Sequence, residues 1–178
     1  AAEYGRVPHG LRVAEDAAVL DALFPGFTTH RIATRDTEIR CVVGGDGPPV
    51  LMLHGYPQTH VMWHRIAPAL AHQFSVVCAD LRGYGDSGKP ASDATHAAYS
   101  KRAMASDMVE LMHHLGHPQF RLVGHDRGGR VAHRLCLDHP DAVSQLAVLD
   151  ISPTRTMFAH TDQAFATAYY HWFFLIQP

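Results

Sequence analysis

Six consecutive residues, Gly124-His125-Asp126-Arg127-Gly128-Gly129, set a carboxylate in the spacing glycine-x-nucleophile-x-glycine. The apolar run Phe120-Arg121-Leu122-Val123 precedes them, and a helix-like stretch, Arg130 to Asp138, follows. Strand, sharp turn and helix in that order expose a nucleophile at the end of a strand. The flanking glycines remove the Cβ clashes that so tight a turn creates. A serine at the centre of such a turn must lose a proton before it attacks, whereas an aspartate with an ordinary pKa near ~3.9 is already an anion at neutral pH. Carboxylate nucleophiles suit displacement at an sp³ carbon, which leaves an ester for water to hydrolyse. Asp126 therefore points to cleavage of a carbon–halogen bond or an epoxide, in preference to ester or peptide hydrolysis.

Three further groups fit that chemistry. His54-Gly55-Tyr56-Pro57-Gln58 follows the apolar run Pro49 to Leu53 and supplies a turn whose backbone N–H groups can face a reacting oxygen. The Tyr56 N–H, with the N–H of Arg127 directly after the nucleophile, is the expected oxyanion hole for hydrolysis of the Asp126 ester. A purely structural turn is the alternative. Arg127 and Arg130 stand three residues apart at a helix start and project from one face. Paired guanidinium groups can bind a substrate carboxylate and offset its repulsion by Asp126, unless one of them only braces that aspartate. Asp150 ends the run Leu146-Ala147-Val148-Leu149, where it either caps the next segment or orients a catalytic histidine and stabilises its protonated form. His171-Trp172 offer two ring N–H donors to a small leaving anion, or pack as ordinary aromatic residues.

A scaffold has to bring these positions together. Residues 1 to 26 read as an arm with one helical candidate, Val13 to Leu23. Thr28 to Ala33 and Glu38 to Val43 read as a hairpin joined by Thr34-Arg35-Asp36-Thr37. Pro49 to Leu53 and Phe74 to Ala79 are buried-type strands on either side of Val61 to Gln73, which has helical spacing. Lys101 to Leu115 reads as an amphipathic helix, Phe120 to Val123 as a strand, Gly129 to Asp138 as a helix and Val143 to Leu149 as a strand. The alternation predicts an α/β fold, a mostly parallel sheet with helices on both faces. Such sheets carry their chemistry at the carboxyl ends of strands. His54 to Gln58, Asp80-Leu81-Arg82-Gly83-Tyr84-Gly85, Asp126 and Asp150 all fall there. After Pro153 the alternation gives way to an aromatic helical segment, Phe158 to Ile176.

Composition narrows the partners. With 178 residues, 15 Lys and Arg against 17 Asp and Glu, and a formal charge of −2, the chain has no broad basic field for nucleic acid or an anionic membrane. No apolar stretch approaches the roughly 18 residues of a membrane helix, and the N-terminus lacks a charged-then-apolar signal layout. Cys41, Cys78 and Cys136 lie in or beside apolar runs and read as buried reduced thiols, which fits a cytoplasmic setting. The 15 histidines include the cluster His113-His114 with His117, but they show no ligand spacing and read as surface or helix-capping groups, with no metal expected.

Together, His54-Gly55-Tyr56-Pro57-Gln58-Thr59, Asp80 to Gly85, Gly124 to Gly129, Leu149-Asp150 and Tyr170-His171-Trp172 resemble, in order, the haloacetate and fluoroacetate dehalogenase branch of the α/β-hydrolase family. The resemblance runs from about Phe24 to Pro178. It implies an α/β-hydrolase fold, with the N-terminal part of the core at 1–153 and the beginning of a helical cap at 154–178. It implies Asp126 as nucleophile, Arg127 and Arg130 as the carboxylate clamp, Asp150 as the triad acid, and His171 with Trp172 as two members of a halide site. A halide-binding tyrosine later in the cap and a general-base histidine near the end of the fold are also implied. Neither position falls within the 178 residues, so the expectation is part of a longer enzyme.

The implied reaction is hydrolytic dehalogenation of a small anionic 2-haloacid to glycolate and halide, without cofactor or metal. A homodimer through the cap aromatics is consistent with it. Relatives that open epoxides share the aspartate and the His-Gly-x-Pro turn but commonly carry Trp after the nucleophile. Arg127 in that position favours an anionic substrate, while Tyr169 and Tyr170 keep an epoxide hydrolase in view. A non-catalytic binding protein on the same fold is the third reading, although such relatives tend to keep a serine in the turn.

Overall fold

The computed structural model describes Val19 and residues 21–174; the helical candidate Val13 to Leu23 lies largely outside them. Among the described residues six strands form one sheet: β1 (Thr28–Ala33), β2 (Glu38–Gly44), β3 (Pro49–Leu53), β4 (Ser75–Ala79), β5 (Phe120–His125) and β6 (Val143–Leu149). Their spatial order is β1-β2-β4-β3-β5-β6. The hairpin strands β1 and β2 are antiparallel to each other, and β2 is antiparallel to β4. From β4 through β3 and β5 to β6 every pairing is parallel. The chain leaves β3 for β4 on one side and later returns to lay β5 on the other. That reversal opens a crevice at the carboxyl ends of β3 and β5, the place where open α/β sheets bind ligands.

Alternation along the strands sorts side chains to two cores. Leu51 and Leu53 of β3, with Val77 and Ala79 of β4, face the long helices α2 (Lys101–His114) and α3 (Arg127–Asp138). Met104, Met108 and Leu111 of α2 and Val131 and Leu135 of α3 complete that side. On the opposite face Val50, Met52, Val76 and Cys78 pack against Phe24, Trp63 and Ala67. The strands β3 and β4 are therefore buried on both sides, which is why they read as continuous apolar runs.

The expected helix Val61 to Gln73 is instead a 3-10 turn, His60–Trp63, and a separate short helix, α1 (Ala67–Leu70). Pro68 lies in the first turn of α1 and has no N–H to continue a helix from upstream, so the helix restarts there. The cover of the second face is thus a turn, a short helix and Phe24 in place of a full amphipathic helix. β6 is largely exposed along its length, with Leu146 and Val148 well open to solvent. Beyond Pro153 come three short helices, α4 (Thr154–Ala159), α5 (Gln163–Ala168) and α6 (Tyr170–Phe174).

Two buried polar networks fix the loops beneath the crevice. Arg82 donates to Asp107 from Nε at 2.5 Å and from Nη2 at 2.6 Å, while its Nη1 donates to the Ala98 carbonyl and Thr34 donates to Asp107 Oδ1. His60 donates from Nδ1 to Asp80 Oδ1 at 2.8 Å and accepts at Nε2 from Arg40, so its ring is the neutral Nδ1–H tautomer. Burial opposes the charge on Asp80, but hydrogen bonds from His60 and from the Asp86 N–H outweigh it and hold that carboxyl below its ordinary range. Cys41 and Cys78 are buried free thiols, and burial pushes Cys41 up to about 12. Cys136, expected to be buried, is only partly so. No helix among the described residues is long and apolar enough to cross a membrane.

Candidate active site

The turn from β5 into α3 carries Asp126 with φ 48° and ψ −115°, a left-handed backbone that side chains other than glycine rarely adopt. Its N–H donates to the Leu149 carbonyl at 3.1 Å, which ties the turn to β6. The neighbouring chain leaves no room for side chains. A Cβ on Gly128 would lie 2.6 Å from the His54 carbonyl oxygen, and a Cβ on Gly55 would lie 2.6 Å from Asp126 Cβ. Two turns, one after β3 and one after β5, are thus pressed backbone to backbone.

That contact sets the carboxylate. The Tyr56 N–H donates to Asp126 Oδ1 at 2.9 Å, and Oδ2 has no hydrogen-bond partner among the described residues. One oxygen is therefore anchored and the other is open. The N–H of Arg127, the second expected donor, opens α3 and is one of the helix-start groups that no carbonyl of the helix satisfies. Behind the turn, His54 is fully buried, donates from Nδ1 to the Gly55 carbonyl at 2.8 Å and accepts from the Leu81 N–H at Nε2. Burial lowers the His54 pKa, and both ring nitrogens are committed, so His54 braces the turn and is not available as a base.

A cavity of about 740 Å³ opens over Asp126, and Tyr56, Arg127, Arg130, His171 and Trp172 line it together. The Arg130 guanidinium stacks on the Trp172 ring at 3.8 Å, and that of Arg127 lies 5.1 Å from the Tyr56 ring centre. Arg130 Nε is buried with no hydrogen-bond partner among the described residues. Burial lowers the Arg130 pKa, Asp126 opposes that shift and Arg127 adds to it. Asp150 lies outside the cavity. Its backbone has φ 52°, its side chain is 93% exposed, and His125 Nε2 lies 3.9 Å from its Oδ2. Among the described residues no other histidine comes within ion-pair range of it.

Lys101 in the cavity and Tyr84 beside it were not singled out in the sequence reading. Lys101 lines the cavity from the start of α2. Tyr84 packs against the His54 ring edge at 5.1 Å. Burial raises its pKa while the positive charge of Arg127 works the other way. Asp80 to Gly85 was recognisable as a motif, and Tyr84 could have been drawn from it. Lys101 carried a fainter signal, a cation at a helix start.

Residues 48–176 match the family described as alpha/beta hydrolase fold. A fluoroacetate dehalogenase of Burkholderia sp is 58% identical over 156 residues, 88% of this chain and 51% of the relative. A soluble epoxide hydrolase of Corynebacterium sp. (strain C12) is 41% identical over 126 residues, 71% of this chain and 42% of the relative. A Nostoc sp PCC 7120 structure described as an alpha/beta hydrolase superposes with a TM-score of 0.84 at 63% identity, covering 85% of this chain and 52% of the other. The chain spans about half the length of the relatives it matches. The family match takes in β3 to β6 and every residue lining the cavity over Asp126, and the chain belongs to the alpha/beta hydrolase family.

Proposed function

We propose that the protein carrying this chain hydrolyses 2-haloacetates, with Asp126 as the nucleophile. The observation that carries the reading is the anchored carboxylate: Oδ1 held by the Tyr56 N–H at 2.9 Å, Oδ2 open, and two arginines in the same cavity. Arg127 and Arg130 hold the substrate carboxylate so that its halogen-bearing carbon faces Oδ2. Oδ2 displaces the halide in line, its electron pair forms the C–O bond of an ester, and the C–X pair leaves with the halide. His171 and Trp172 lie where ring N–H groups can receive that anion, and fluoride, whose compact charge is strongly solvated, gains most from such donors. Water then adds to the Asp126 ester carbonyl while the Tyr56 and Arg127 N–H groups hold the developing oxyanion. Glycolate leaves, a proton is released, and Asp126 regains its carboxylate.

The second half-reaction needs a base. Resemblance assigns it to a histidine beyond residue 178, with Asp150 to orient it. The open exposure of Asp150 at the end of β6 suits a partner from a later segment. The short helices after Pro153 act as the start of the cap. Identity of 58% with a fluoroacetate dehalogenase supports this substrate class.

Tyr170 lines the same cavity, and a tyrosine there favours a second reading, protonation of an epoxide oxygen during ring opening by Asp126. Intact-mass spectra of the full-length protein before and after fluoroacetate, with fluoride measured in solution, test the proposal. Fluoride release with a transient carboxymethyl ester on Asp126 is the expected result. Turnover of a neutral epoxide without fluoride release would move the assignment to the second reading, and binding of either compound without turnover would make the protein a binding module.

A further inference from the structure

Lys101 stands in an unfavourable place for a lysine. It is the first residue of α2, directly after the Ser100 cap, where the positive end of the helix dipole favours an anion. Arg127 and Arg130 share its cavity. Its Nζ donates to the Met104 sulfur at 3.6 Å, a weak acceptor, and among the described residues it has no carboxylate in ion-pair range. Lys101 and Arg130 are also the two residues common to the active-site cavity and a neighbouring one of about 440 Å³. Helix end, burial and two guanidinium groups all act against one ammonium, and Asp126 is the group that favours it.

We infer that Lys101 is a third cation of the carboxylate site, a specificity-determining residue that biases the cavity toward anions over neutral ligands. The inference rests on the reading of this cavity as an anion site. Local conflicts of this kind persist where function requires them. Asp126 offsets one of the three positive charges and leaves an excess that an incoming carboxylate reduces. On displacement the charge that Asp126 loses to the ester reappears on the halide, so the same excess cation content holds the halide as it departs. With the two arginines alone, Asp126 and the substrate would already cancel the positive charge.

Burial first, then Arg127 and Arg130, bring the Lys101 pKa down to about 8, with Asp126 pulling the other way. The groups facing it are Asp126 from the β5–α3 turn, Tyr56 from the turn after β3, and Tyr170 and His171 from α6. Across the neighbouring cavity His133 and Arg134 of α3 join Arg130. Because these remain in every variant, a comparison at position 101 isolates the lysine. Its charge is present below pH 8 and is lost above it, and a bound anion raises its pKa, so binding near pH 8 takes up protons.

Calorimetric titration of the full-length protein with glycolate, and with glycolamide as the neutral isostere, tests this. Lys101→Met is expected to weaken glycolate about tenfold at pH 7 and to leave glycolamide unchanged. The parent should lose glycolate affinity between pH 7 and 9.5, while Lys101→Arg stays flat. Repeating the titration in buffers of different ionisation enthalpy should show uptake of up to about half a proton per glycolate at pH 8 in the parent. That last measurement needs no variant to fold. Equal glycolate affinity and pH profile in parent and Lys101→Met, or no proton uptake by the parent, would overturn the inference even if halide release proceeds. Lys101-dependent glycolate binding without any haloacetate turnover would overturn the proposed reaction and leave the anion site standing.

Discussion

Charged groups lie under cover in two parts of the molecule, and they are treated in opposite ways. At Arg82 and Asp107 the guanidinium and carboxylate meet face on, both side chains almost fully buried, and Ala98 and Thr34 take up remaining capacity. Asp107 raises the Arg82 pKa more strongly than burial lowers it. At the cavity, Arg127, Arg130 and Lys101 share the lining with one carboxylate, Asp126, Arg130 Nε has no hydrogen-bond partner among the described residues, and Lys101 is driven down to about 8. The first arrangement is complete without a ligand. The second has positive charge in excess, and in the proposed reading burial that would otherwise be a liability becomes a means of attracting an anion.

Removing one charge from each region separates the two roles. Asp126→Asn is expected to lower halide release by about 10³-fold or more with the fold intact, read by halide assay and circular dichroism. Asp107→Asn leaves Arg82 buried and unpaired and should cost about 3–5 kcal/mol in urea unfolding. Replacing both partners, Arg82→Met with Asp107→Leu, should recover most of that loss, because an apolar pair leaves no orphaned charge. Arg130→Ala is expected to raise KM for haloacetates by about 10–100-fold with a smaller change in kcat, and unchanged kinetics would remove it from the clamp.

The smallest effect is also the most diagnostic. Lys101 has a folded pKa near 8, below the ordinary 10.5, so the unfolded chain binds more protons between those values and parent stability rises with pH across that window. Lys101→Met should therefore be more stable than the parent, on the order of 1–3 kcal/mol below pH 8, with the gain fading as pH climbs toward 10.5. Thermal melts at pH 7 and 10 read the difference.

Much of this was legible in the residues. β3 and β6 occupy the expected ranges and the hairpin forms as read, because each strand is a short apolar or alternating run between turn signals. The turn at Asp126 was visible because its glycines are imposed by backbone contact, a constraint that leaves a mark in sequence. Pro68 hid the break between the 3-10 turn and α1, since spacing of apolar residues continues across a proline that the helix cannot. Lys101 enters the cavity from a position distant in sequence from Asp126, and only the packing of α2 against α3 reveals it, whereas Tyr84, which packs on His54, belongs to a loop already recognisable as a motif. The exposure of Asp150 was likewise invisible, because a strand-end carboxylate reads the same with or without a neighbour.

The hydrogen bond from the Tyr56 N–H to Asp126 Oδ1 joins groups 70 residues apart. No partly folded chain can possess it until β3 and β5 have paired, a step that depends on closing a long loop and is slow for that reason. If Asp126 is the nucleophile proposed above, its competence to be alkylated is a covalent clock of folding. A haloacetate pulsed during refolding, read by the ester at Asp126 and not by total mass because Cys41, Cys78 and Cys136 of an unfolded chain are alkylated as well, then distinguishes molecules in which the two central strands have met.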